Sequence, residues 1–189
     1  MTDVPPPEPF AAATRKLVEQ HEQWDSLPQF VTLHWDGEKI RYGTVAVIDM
    51  HPEQYPLTMT GIAAEEIAKQ DAHEKTLYAF ALQVETFSVE VPKGADPATL
   101  ARVQHARDTR TIHDLPESVE MCDAFCVDIH ERMWTSRKRR NRPEKIEDLF
   151  FDAGSEGLDG TMPDALLRIA RVTRMLVHRL PPPAGKDIS

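Results

Sequence analysis

Apolar residues first recur at helical spacing: Phe10, Ala13, Leu17 and Trp24 share one stripe with His21. Pro9 suits a first helical turn and Pro28 a stop, so the pattern predicts a helix over 9–25. Two β-rich runs follow, 30–35 and 38–49, separated by Asp36-Gly37, a pair that tolerates the positive φ of a two-residue hairpin turn. That register pairs Leu33 with Ile40 and Val31 with Tyr42 on an inward face, leaving Thr32, His34, Lys39 and Arg41 outside. Beyond Gly43 the apolar parity changes to Val45 and Val47, which marks Gly43 as the candidate for a β-bulge.

His51-Pro52 and Tyr55-Pro56 punctuate the next connection, and 58–70 reads as a short helix with Ile62 and Ile67 inward. Residues 77–91 are β-branched and aromatic without Gly or Pro, a strand that Pro92 and Gly94 terminate. A polar surface helix is expected over 96–108. Residues 119–130 fit both periods; alternation of Met121, Phe125, Val127 and Ile129 favours a strand, and Ala124 to Ile129 echoes Ala79 to Val84. A turn at 128–132 leads to a strand from Met133. The last element is a helix from Thr161 towards Pro181, with Thr161 and Asp164 as a capping-box-like start, Leu166, Ile169, Ala170, Met175 and Leu176 on one side, and Arg168, Arg171, Arg174 and Arg179 on the other.

The chain has 189 residues, enough for one core, and its 41% hydrophobic and 28% charged content excludes collagen-like, low-complexity and wholly disordered classes. Prolines at 5, 6, 7 and 9 and at 181–183 make 1–8 and 181–189 expected disordered tails around a single 9–180 domain. The fold class is therefore α+β, an antiparallel sheet of about five strands flanked by helices. Its element order resembles that of the profilin-like group, including the Roadblock-type small proteins.

No apolar run is long enough for a bilayer and the first residues lack a signal-peptide pattern, so the expected location is the cytoplasm, without a membrane partner. Cys122 and Cys126 are too few for a disulfide scaffold and read as reduced core thiols. A net charge of −9 argues against the whole protein being drawn to nucleic acid. Residues 131–145 run against that balance, with seven Lys/Arg against Glu131 and Glu144.

Chemical motifs are incomplete. His-Glu occurs at 21–22, 73–74 and 130–131, yet Asp25, Leu77 and Trp134 stand where a zincin helix has its second histidine. A metal site would have to be assembled from distant residues such as His34, His51 and His113. Ala153 breaks the Gly-x-Ser-x-Gly elbow at 153–157, and the glycines at 154, 157 and 160 lack the Lys-Ser/Thr of a P-loop. The surviving feature is Arg132, Trp134, Arg137, Lys138, Arg139, Arg140 and Arg142. Cations beside an indole suit phosphates and a stacked base, or an acidic protein partner. The same run also suits a charged strand edge balanced by the seven acids of 144–164. The expected function is that of a small cytosolic binding or adaptor protein without catalysis or cofactor, acting on a protein partner or as a homodimer. The alternatives are a nucleic-acid-binding accessory protein using 132–142, and an enzyme with a dispersed His/Asp/Cys site.

Overall fold

Pro9 sits in the first turn of helix α1 (Glu8–Glu19), where a missing N–H costs nothing, and the Pro7 carbonyl accepts from the Phe10 and Ala11 amides. The helix stops six residues before the expected end. Glu85, 60 positions away, takes the Asp25 amide at 2.9 Å and the Ser26 amide at 3.0 Å, with Asp25 in the left-handed region at φ 65°. A distant carboxylate, invisible to local periodicity, thus unwinds 20–26. In this computed structural model, which describes residues 4–70, 75–155, 158 and 160–181, three further α-helices, six strands and two short 3-10 helices complete the fold among the described residues.

Strands β1 (Gln29–Trp35) and β2 (Ile40–Val47) form the expected hairpin, with a different register. Trp35 pairs with Ile40 and Leu33 with Tyr42, so neither Leu33–Ile40 nor Val31–Tyr42 forms. The loop has four residues because Asp36 Oδ1 accepts from the amides of both Glu38 and Lys39, extending the turn about Gly37 at φ 101°. A shift of two keeps the faces, and the α1-facing side is as read. The bulge falls where parity changed: Val31 pairs with Val45, and Thr32 Oγ1 accepts from the Thr44 amide in place of a ladder partner. At Gly43 an added Cβ would lie 2.5 Å from His34 Nε2 and 2.6 Å from Thr32 Oγ1. Gly43→Ala is expected to lower the unfolding free energy by about 1–3 kcal/mol, read from the urea midpoint; an unchanged midpoint would show that the bulge yields freely.

Helix α2 (Tyr55–Lys69) carries the chain across β1 to β3 (Leu77–Ser88), and α3 (Pro97–Asp108), capped by Asp96, interrupts the link to β4 (Val119–Asp128). Strands β5 (Met133–Arg139) and β6 (Arg142–Phe151) complete a meander before α4 (Thr161–Leu176). One antiparallel sheet runs β2-β1-β3-β4-β5-β6, an α+β domain with six strands rather than about five. The additional strand is β6. Pro143, Glu144, Lys145, Glu147 and Asp148 hide its alternation, as befits an exposed sheet edge where charge discourages further pairing.

Both faces of the sheet are covered. On one, α1 lays Phe10, Leu17 and Val18 over a floor kept low by Ala79, Ala81, Cys122, Ala124 and Cys126. On the other, α2 and α4 bury Met59, Leu166 and Ile169 against Phe30, Phe80 and Leu82. Helix α4 departs from expectation at its start: Gly160 at φ 138° is the cap residue and no side chain caps the helix, so Thr161 and Asp164 form no capping box. It also ends at Leu176, after which His178 Nε2 lies 2.7 Å from the Leu77 carbonyl oxygen. Of the two expected tails, residues 1–3 and 182–189 lie outside the described residues; Pro5 is buried, its carbonyl accepting from Arg132. No described helix is long and apolar enough to cross a membrane.

Candidate functional site

The basic run is taken up largely inside the fold. Trp134 is 2% exposed, stacked on Phe10 at a centroid separation of 5.2 Å and covered by Phe150. Arg132 donates from Nε to Asp128 Oδ2 at 2.8 Å and from Nη1 to the Pro5 carbonyl, its guanidinium lying over Trp134 and Phe10. Lys138 is buried and donates to the His21 carbonyl at 2.6 Å. Arg139 pairs with Glu90, and Arg140 with Glu120 at 2.5 Å. Arg142 stands exposed at the β5–β6 turn. Most partners therefore lie on or just after β3 and β4, not in 144–164, from which Glu147 reaches Arg139 at 3.9 Å.

Arg137 differs from its neighbours because it stands in the floor of a cleft of about 920 Å³. Alternation along three adjacent strands brings Val84 and Thr86 of β3, Phe125 of β4 and Arg137 of β5 to this floor. Walls come from three connections that only the tertiary fold assembles. Leu27 and Pro28 precede β1, Pro52 lies in the 3-10 turn before α2 and Tyr55 opens that helix, and Met162 and Pro163 lie in the first turn of α4. By area the lining is mainly apolar, and two carboxylates, Glu53 and Glu85, line it together with Arg110 and Arg137.

Under the floor, Asp123 is buried and accepts from Thr86 Oγ1 at 2.6 Å, Arg137 Nε at 2.6 Å and Arg137 Nη2 at 3.3 Å. Such a network is satisfied from below and holds the guanidinium plane in one orientation. Arg137 Nη1 has no partner among the described residues. At the rim, Arg110, held at φ 59°, donates to Glu53 at 2.8 Å. The first two amides of α4, at Thr161 and Met162, have no acceptor within the helix, and Pro163 has no N–H to offer. Arrangements of this kind bind an apolar body and fix its orientation through one planar anion.

Other candidates for chemistry are not brought together. His34 is half-buried with Nδ1 3.1 Å from Thr76 Oγ1, whereas His51 and His113 are exposed on separate connections. Among the described residues, the one group of three or more acids, cysteines or histidines close enough to share a cation is Asp25, Glu85 and Glu120. Burial raises the Cys122 thiol to about 12 and the Cys126 thiol further, so neither is primed as a nucleophile. Burial also lowers His130 to about 4, beside Tyr78 Oη at 2.5 Å. Ser155 donates its hydroxyl to the Asp152 carbonyl, a turn rather than an elbow. His73, Glu74 and Gly157 lie outside the described residues.

Sequence reasoning reached Arg137 through the wrong feature, its charge among other charges. It missed Thr86, Asp123 and Phe125. The available signal was Asp123 itself, an acid inside the apolar run from Met121 to Val127, which requires a buried partner. Compared with known proteins, the chain matches no family model, no curated protein and no solved structure.

Proposed function

We propose that the protein is a non-catalytic binding protein whose cleft takes a small amphipathic molecule bearing a carboxylate or similarly planar anion. The observation that carries this reading is Arg137, locked from below by Asp123 in the floor of a mainly apolar cleft of about 920 Å³. That volume matches the size of small-molecule sites and is too confined for a folded partner. Val84, Phe125 and Met162 would receive the apolar body, while the Nη1 edge of Arg137 receives the anion. Since Arg137–Asp123 and Arg110–Glu53 are already ion pairs, the cleft has no surplus positive charge, and selectivity rests on the geometry of one guanidinium.

The test compares naphthalene-2-carboxylate with its neutral methyl ester in an amide chemical-shift titration. The acid is expected to move the Val84, Thr86 and Phe125 amides and to bind at least tenfold more tightly than the ester. Arg137→Gln should abolish that difference. Equal binding of acid and ester, or no shifts at millimolar ligand, would overturn the reading.

A further inference from the structure

We propose that the polar pocket beyond the C-terminal end of α1 binds one uncharged polyhydroxy ring, the size of a monosaccharide or a cyclitol. Glu85 holds residues 25 and 26 away from a helical path, and the sheet face that α1 no longer covers becomes the floor of a pocket of about 350 Å³. That floor is Gln29 of β1 and Gln83 of β3, cross-strand partners whose side chains stand on the same face. Gln20, Glu22, Gln23 and Ser26 form the walls, so four of the chain's seven glutamines line one pocket. Its volume is at the lower end of small-molecule sites.

The need for a ligand comes from Gln83. It is 7% exposed, and its Nε2 is engaged, 2.8 Å from His21 Nδ1 and 3.6 Å from Cys122 Sγ. The imidazole fixes this orientation of the amide. Glu85 Oε1, a carboxylate oxygen, lies 2.9 Å from His21 Nε2, so Nε2 carries the proton of the neutral ring and Nδ1 is left to accept from the Gln83 N–H. Burial holds His21 below its ordinary range, which keeps it neutral. Gln83 Oε1 then borders the pocket with no partner among the described residues, an inner carbonyl that needs a donor brought from outside. Ser26 Oγ donates to Glu85 and keeps its lone pairs to accept, while the Gln29 amide has both ends free among the described residues. Acceptors and amide donors side by side match hydroxyls, which both donate and accept, whereas an ammonium only donates. The lining holds no Lys or Arg, and the exposed Glu22 repels anions. Leu17 offers the C–H face of a ring one apolar contact.

Titration of the full chain with D-glucose, D-galactose and myo-inositol, followed on the side-chain amide resonances of Gln29 and Gln83, tests this. At least one of the three is expected to shift both in a saturable way at millimolar concentration. Gln29→Met, at a half-buried position, should weaken that binding at least fivefold with the fold intact, and Gln83→Met should abolish it. Although Ser26 also borders the cleft, Arg137→Gln should leave polyol binding unchanged, so this site and the cleft reading stand or fall separately. The proposal is overturned if none of the three moves those resonances, if Gln29→Met binds as tightly as wild type, or if cyclohexylammonium shifts them and the polyols do not, which would make the pocket an amine site.

Discussion

Trp134→Ala should lower the unfolding free energy by about 3–5 kcal/mol, the usual cost of removing a large buried aromatic side chain. The indole is in contact with Phe10 on α1, Phe150 on β6 and the guanidinium of Arg132, so its loss opens a cavity where three elements meet. These neighbours cannot collapse into the space, since Phe10 is also fixed against Tyr78 and Trp35. Guanidinium unfolding monitored by far-ultraviolet circular dichroism is the measurement. A variant of wild-type stability that had lost affinity for single-stranded nucleic acid would instead mean that this indole stacks on bases.

Arg132→Met should be nearly as damaging, by about 3–5 kcal/mol, because it strands a buried charge. Asp128 is fully buried; its carboxylate accepts from Arg132 Nε and from the amides of His130 and Arg132, and Arg132 Nη2 lies 2.7 Å away in the same ion pair. The double variant Asp128→Asn/Arg132→Met keeps an acceptor for the turn amides and leaves no unpaired charge. Its destabilisation should therefore be smaller than that of Arg132→Met alone, a non-additivity that a double-mutant cycle reads directly. If the double variant were the less stable of the two, the ion pair would not be what holds the β4–β5 turn.

How far the fold could be read from the sequence depends on the range of the interactions involved. The hairpin, its bulge at Gly43 and the strand at 119–128 rest on turn chemistry and alternation within a few residues, and they emerged from those patterns. The hairpin register did not, because the Asp36 carboxylate chose a four-residue loop over the two-residue turn that Asp-Gly also permits. Strand β6 was hidden because an edge strand needs charge rather than alternation. The basic run reads differently in three dimensions for the converse reason: most of its cations answer a carboxylate or carbonyl brought from elsewhere in the chain, whereas one-dimensional charge counting offers only solvent or the following acids. As for the cleft, Arg137 was singled out, but the Asp123–Thr86 pair that orients it depends on β3–β4 register, which no single segment contains.

The position of α1 imposes an order of events on synthesis. Its contacts run mainly to β4, β5 and β6, and the Arg132–Pro5 hydrogen bond joins residues 127 positions apart. At about 5–20 residues per second, the N-terminal helix emerges roughly 6–25 s before the strand that receives it. During that interval Phe10, Leu17 and Val18 have no floor to cover, while β3 to β6 can pair in sequence as soon as each is made. The meander is thus able to nucleate without its lid, and closure of the α1 face is a late, long-range event whose entropic cost slows folding relative to a fold of local contacts. Substitutions in the α1 contacts should accordingly appear first in the unfolding rate, and those in the β3–β4 ladder in the folding rate.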